Sequence, residues 1–258
     1  MPPKRWSHNG VSPPPDWLRN NRLLRVFVHK MEREHLSAVK VWDGWVRFFH
    51  WTLVLLFAFQ LYSGKTGGNI MQWHMVAGYG VLALVLFRVT WGFAGSTHAR
   101  FASFVAGPAE ALRFARKLFS RAPAAVVGHN PLGGWMVVAL LVSLALQAGT
   151  GLFANDDIAT EGPLAGLVAR SVSDRLTSIH RWNAYVLIAL SSIHIAAILF
   201  HRIVKKEDLV AAMFTGIQRV PPDTARLAAT ARFVSVWRAL ALLAAAVAAV
   251  YVIVRLPL

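Results

Sequence analysis

The sequence predicts an all-α integral membrane fold, a helical bundle with a four-helix core and a fifth transmembrane helix. Three observations predict it. The 258-residue chain is 56% hydrophobic and only 15% charged, where a soluble domain carries about 25% charged residues. Five stretches nearly free of charge each approach the roughly 17–25 residues that a helix needs to cross a bilayer. The lysines and arginines gather in alternate connectors between those stretches, the asymmetry that sets orientation in a bilayer.

Residues 1–40 form a basic extension bearing Pro13, Pro14 and Pro15. It has no continuous apolar core, so it reads as a retained segment and not a signal peptide. The expected spans are 45–62, 72–89, 132–153, 179–200 and 238–254. Trp42, Trp45 and Tyr62 mark the ends of the first, where amphipathic rings favour the interface. Between the second and third spans, Gly107-Pro108 followed by AEALRFARKLF reads as a short helix with proline in its first turn. One face is basic and the other apolar, suited to lying on a membrane surface. Segment 154–178 carries Asp156, Asp157, Glu161 and Asp174 against Arg170 and Arg175 and is the only locally acidic region. The fifth span, rich in alanine and valine, reads as a packing or lipid-facing helix. Nineteen lysines and arginines lie in the extension, 93–131 and 201–232, against four in 63–71, 154–178 and the C-terminal tail. That difference predicts a cytoplasmic N-terminus and a periplasmic C-terminus. The expected organisation is an extension (1–40), a membrane domain (41–218), and a linker with the fifth span (219–258).

Composition excludes several chemistries. There is no cysteine, which removes disulfides, iron–sulfur clusters, thiolate metal sites and covalent c-type haem. The net charge of +15 would suggest nucleic acid in a soluble protein. Here the basic residues flank apolar spans, so lipid headgroups and orientation account for them and nucleic acid is not an expected partner.

Ionisable residues inside a membrane span are costly unless paired or liganded, and four histidines lie in these spans: His50, His74, His180 and His194. With the N-terminus inside, His50 sits about five residues, or roughly 8 Å, from the inner end of the first span. The second and fourth spans both start outside, which places His74 and His180 near the outer surface. His194 follows His180 by 14 residues, about 21 Å deeper. Fourteen steps of about 100° return it to within roughly 40° of the same face. Depth and phase thus predict two levels, His74 with His180 outside and His50 with His194 inside. Each level takes two imidazoles from two helices, as a haem clamped between helices requires. Two-histidine ligation leaves no open position at iron, which favours electron transfer over oxygen chemistry.

Several neighbours bear on the same question. Gly78 and Ala184 follow His74 and His180 by one turn; they suit either a porphyrin lying against the helix or ordinary close packing. Arg88 stands 14 residues after His74 and is a candidate propionate donor at the inner level, as are Arg47 and Arg202 near the inner ends. The alternative for all three is snorkelling to the interface. His201, at the edge of the fourth span, is a competitor for the inner ligand, and depth favours His194. Arg181, Trp182 and Asn183 loosely suit a quinone headgroup near the outer level.

The motifs VWDGWVRFFHW, WHMVAGYGVLALVLFRVTWGFAGSTHARF, GHNPLGGWMVVALL, TGLFANDDIATEGPL and IHRWNAYVLIALSSIH resemble the bacterial di-haem cytochrome b561 group, which includes the b-type cytochrome subunit of nickel–iron hydrogenases. The likeness covers about residues 41–218. It implies a bundle of four core helices holding two haem b groups, with ligands from the first, second and fourth spans at His50, His74, His180 and His194. It further implies electron transfer in a bacterial inner membrane between a periplasmic redox partner, such as a c-type cytochrome or a hydrogenase, and ubiquinone or menaquinone. A stand-alone superoxide:quinone oxidoreductase is a variant within the family. A histidine-lined metal or proton transporter is the rival from another class; it would want acidic residues inside the spans, and the expected spans hold none.

Overall fold

The structure is a computed structural model that describes residues 36–118, 126–158, 160–228 and 230–255. Most of the N-terminal extension therefore lies outside the described residues. Five helices are long and apolar enough to cross a membrane, and the protein is an all-α multi-pass membrane bundle. They are α1 (Gly44–Thr66), α2 (Met71–Ala94), α5 (Pro131–Gly151), α6 (Arg170–Phe200) and α9 (Val236–Arg255). Shorter helices lie between them: α3 (Phe101–Phe104), α4 (Pro108–Lys117), α7 (Leu209–Thr215) and α8 (Pro222–Ala228).

Local chemistry sets the helix ends. The carboxylate of Asp43 accepts from the Val46 amide at 2.7 Å and starts α1, satisfying a donor that the first turn leaves open. Gly67, with φ of +65°, stops it where a side chain would be strained. Asn130 caps α5 by accepting from the Gly133 amide at 2.7 Å, with Pro131 in the first turn, where a missing amide hydrogen does no harm. Helix α4 begins at Pro108 as the sequence predicts.

The helices pack in sequence, α1 on α2, α2 on α5 and α5 on α6, while α9 lies against α2. Among the described residues, α1 and α6 share no comparable direct packing. Phe87 and Trp91 of α2 are fully buried, with Val41, Val46, Phe49, Leu141, Ala239 and Ala246 in the same cluster. Small residues of α9, Ala239 and Ala246, permit its close approach.

Two features differ from the expected pattern. Helix α6 starts at Arg170, well before the apolar run. Its first turns are polar, but Ser173 and Thr177 are buried and bond the connector: Ser173 Oγ donates to the Phe153 carbonyl (2.7 Å), and Thr177 Oγ1 accepts from the Asn155 amide (3.0 Å). The other difference is a two-stranded antiparallel sheet, β1 (Ser37–Lys40) with β2 (Ile217–Val220), in which Ser37 faces Val220 and Lys40 faces Ile217. It covers the bundle end that holds the start of α1. This is the strand end; the opposite, loop end carries the connector between α5 and α6.

Candidate functional site

At the loop end, His74 of α2 and His180 of α6 face each other with ring centroids 6.2 Å apart. Each ring is held from behind by the neighbouring helix. Ser63 Oγ donates to the Phe59 carbonyl at 2.7 Å, so its lone pair is free to accept from His74 Nδ1 at 3.0 Å. His180 Nδ1 donates to the Gln147 carbonyl at 2.9 Å, and Thr150 Oγ1 lies 3.4 Å away. A carbonyl can only accept, which fixes the proton on His180 Nδ1 and leaves Nε2 as a lone-pair donor. Glycines complete both cradles. A Cβ on Gly64 would lie 3.0 Å from His74 Cε1, and one on Gly151 would lie 3.0 Å from His180 Cε1.

The two cradles are copies of one another. Gln60-Leu61-Tyr62-Ser63-Gly64 ends α1, and Gln147-Ala148-Gly149-Thr150-Gly151 ends α5. The histidines they hold begin related runs, His74…Gly78-Tyr79…Ala83-Leu84 and His180…Ala184-Tyr185…Ala189-Leu190, and position 14 of each run is Arg88 or His194. The α1–α2 and α5–α6 hairpins therefore repeat each other at this end. The signal was present in the sequence, in the Gln-x-x-Ser/Thr-Gly corners, but too short to stand out without the geometry.

At the strand end, His50 of α1 and His194 of α6 lie within Coulombic range of each other. The ring of His129, in the segment just before α5, lies within the same range of both, and of Arg88 and His98. His129 is wedged between Trp42 (4.6 Å between centroids) and Phe104 (4.7 Å). Burial and these neighbours push its pKa down to about 3, so it is neutral; burial also lowers that of His98. The sequence motifs contained both histidines, but neither lies in an apolar span, which is why depth arguments pass over them.

Arg88 is buried on α2 and donates to the Ala99 carbonyl at 3.2 Å, with its guanidinium 5.4 Å from the Phe101 ring and 5.8 Å from the Phe104 ring. It turns inward and does not snorkel. Asp43, also buried, is its Coulombic partner and accepts from the Trp91 indole at 3.1 Å. Arg47 donates to the Phe214 carbonyl at 2.6 Å, tying α1 to α7. Arg202 is exposed. His201 is buried in a π-helical turn, His201–Lys205, with Nδ1 2.8 Å from Glu207 and Nε2 3.4 Å from the Asn130 amide. Both its ring nitrogens thus have partners.

Other candidates separate. Gly78 is met by Gln60, whose Nε2 would be 3.0 Å from an added Cβ. Arg181 and Trp182 are exposed, whereas Asn183 is buried and bonded to Ser143 and Gln147; the three do not form one site. In the acidic connector, Asp157, Glu161 and Asp174 surround Arg170, and one Asp156 oxygen accepts from the Ile158 and Thr160 amides.

The donor set fits haem. Two imidazoles bound to one metal at about 2.0–2.1 Å through their free nitrogens have centres about 6 Å apart, close to the 6.2 Å between His74 and His180. At the strand end, buried nitrogens without a protein partner gather: Nδ1 of His50 and His129, Nε2 of His98, Nε of Arg47 and Nε1 of Trp51. Buried polar atoms are normally satisfied, and the carboxylates of a haem would supply acceptors to Arg47 Nε and Trp51 Nε1 among them. Among the described residues, no three His, Asp or Glu side chains come together as a site for a bare metal ion.

Comparison with known proteins agrees with this chemistry. A family model described as prokaryotic cytochrome b561 matches residues 41–216. No curated protein and no solved structure matches the chain. The family match runs over most of the chain, from Val41, just before the capping Asp43, to the turn before β2, and takes in four spans and both histidine pairs. The chain belongs to the prokaryotic cytochrome b561 family.

Proposed function

We propose that this protein is a di-haem b-type membrane cytochrome that carries electrons between a periplasmic redox partner and the quinone pool. Membership of a cytochrome b family makes it a haem b protein of membrane electron transfer; the two haems, their ligands and the partners are our reading. The observation that carries it is the pairing of four histidines at two levels of one bundle. His74 and His180 ligate the outer haem through Nε2, and His50 and His194 ligate the inner one. His201 has both ring nitrogens engaged by Glu207 and Asn130, which supports His194 as the inner ligand. Arg88, buried and turned inward, and Arg47 serve the inner propionates.

The strand end is then cytoplasmic and the loop end periplasmic, as the distribution of lysine and arginine favours. The division into extension (1–40), membrane domain (41–218) and fifth-span segment (219–258) is part of the same reading. When bound, haem supplies a one-electron couple; the chain supplies imidazoles, a dry surround and donors for the propionates. The histidines stand in twos, an arrangement that suits a clamped porphyrin and not a metal or proton transporter.

A reduced-minus-oxidised spectrum with haem extraction tests this. The expected result is a b-type α band and two haems per chain, falling to one in His74→Ala and in His50→Ala. No Soret absorption in the purified protein would sink the reading. Quinone reduction assayed with reduced c-type cytochrome, with hydrogen plus a hydrogenase, or with superoxide then identifies the donor, and the last of these would mark a superoxide:quinone oxidoreductase.

A further inference from the structure

The two histidine levels are built from different second partners, and the difference has a sign. At the loop end the ligand candidates donate Nδ1–H to oxygen: His74 to Ser63 Oγ at 3.0 Å and His180 to the Gln147 carbonyl at 2.9 Å. Donation from Nδ1 makes Nε2 a stronger base, and a stronger donor stabilises the oxidised, more positive iron. At the strand end His50 Nδ1 is buried with no hydrogen-bond partner, so this ligand gains no such strengthening. The charged and titratable groups facing that level are Arg88, Asp43, Arg47, His98 and His129. Arg88 is a buried cation within range of His129, which is in turn within range of His50 and His194. Asp43 offsets Arg88 in part, but both its carboxylate oxygens are already engaged, by the Val46 amide and the Trp91 indole. A buried cation disfavours the more positive oxidation state of a nearby iron.

We propose that the Gln60–Gly64 and Gln147–Gly151 corners are positioning devices that give the outer haem a lower potential than the inner one, so that electrons entering at the periplasmic side run inward. This rests on the di-haem reading above. Both rings have the backbone of the corner's glutamine as a partner, Gln60 for His74 and Gln147 for His180, and Ser63 is the adjustable part because it acts through a side chain. Thr150 occupies the equivalent corner, so a threonine hydroxyl is compatible with the geometry.

The test is a redox titration of the full-length protein in detergent, followed at the α band. Two one-electron components are expected, and His74→Ala, which removes an outer ligand, should retain only the one of higher potential. Ser63→Ala should shift the lower component upward, by about threefold to tenfold in the reduced-to-oxidised ratio at fixed potential, where tenfold is 59 mV for one electron. Ser63→Thr should restore it, and the higher component should stay in place throughout. A purely structural role for Ser63 would lower haem content without moving the potential. Retention of the lower component in His74→Ala, or an unmoved lower component in Ser63→Ala with both haems bound, overturns the proposal. If Ser63→Ala loses its outer haem, Ser63→Cys, whose thiol is a weaker acceptor, replaces it, and the lower component must again rise. Absence of haem from the wild-type protein would instead reject the di-haem reading itself.

Discussion

Removing the carboxylate of Asp43 should loosen the strand end more than any other single polar change there. Asp43 is only 7% exposed and does three things. One oxygen caps α1 through the Val46 amide at 2.7 Å; the other accepts from the Trp91 indole, fully buried on α2, at 3.1 Å; and its charge offsets buried Arg88. Loss of an N-cap costs about 1 kcal/mol. An indole N–H left buried without an acceptor costs about 1–3 kcal/mol. The unbalanced guanidinium adds to this, but the three effects share partners and do not sum. Asp43→Ala should therefore lose about 2–4 kcal/mol. Asp43→Asn, which keeps a good cap and one acceptor, should lose about half as much, roughly 1–2 kcal/mol. Detergent-solubilised protein unfolded by heat or denaturant, followed by tryptophan fluorescence and the Soret band, reads both. Within the reading proposed above, the inner haem should leave first. An Asp43→Ala variant within 0.5 kcal/mol of wild type would refute this reasoning, as would an Asn variant as damaged as the Ala variant.

The remaining predictions address the other corners of the bundle. Gly64→Ala and Gly151→Ala each bring a methyl group to 3.0 Å from an imidazole Cε1, so on the di-haem reading proposed above each should lower outer-haem content while sparing the inner haem, and by similar amounts; haem per chain from extraction checks this. His201→Ala should keep both haems and lose stability, because it removes the contacts to Glu207 and Asn130; loss of a haem would show that His201 is a ligand. His129 is neutral in the folded state with a pKa of about 3 against 6.5 unfolded. Below 6.5 the unfolded chain therefore binds the extra proton, and stability should fall as pH drops from about 6.5 toward 3. His129→Phe, filling the same gap between Trp42 and Phe104, should flatten that limb of an unfolding-versus-pH series. Arg170→Ala should change stability little, since the ion pairs it breaks are exposed, yet it frees three carboxylates. If the connector docks a basic c-type cytochrome, binding at low salt should tighten, and an unchanged Kd would rule out that surface.

The sequence carries the spans and the histidine pairs because both rest on simple periodicities. Helical rise converts the interval from His180 to His194 into depth, and 100° per residue converts it into a face; the buried residues Ser173, Thr177, Asn183 and Leu187 follow that face. The start of α6 was hidden because hydropathy reports where lipid begins, not where hydrogen bonding begins, and residues 170–178 are helical above the apolar run. The pairing of β1 with β2 joins segments far apart in the chain, and four-residue strands with exposed polar positions carry too little alternation to announce a partner. His98 and His129 were hidden for a related reason. His129 is covered by Trp42 and Phe104, and Gly128, whose amide donates to Gln218 of β2, comes close to His98, a property of the assembled end and not of any one segment.

Within the di-haem reading proposed above, the repeated hairpins explain why the ligands are distributed as they are. At the loop end each hairpin supplies an equivalent histidine, backed by an equivalent Ser/Thr-Gly corner, so α2 and α6 can clamp one group symmetrically. Fourteen residues further along, symmetry fails: α6 presents His194, whereas α2 presents Arg88. A guanidinium has no lone pair to offer a metal, so the partner of His194 has to come from another helix, and α1 supplies His50. This substitution has two consequences at once. It moves the inner pair onto α1 and α6, which, like α2 and α6 at the outer level, share no extensive direct packing among the described residues, so a flat group can lie between them. It also leaves a cation at the inner level where the outer level has an imidazole. The asymmetry in charge that separates the two levels is thus a direct result of one departure from the repeat, and exchanging Arg88 for a neutral side chain of similar length, as in Arg88→Met, should bring the two potentials closer together.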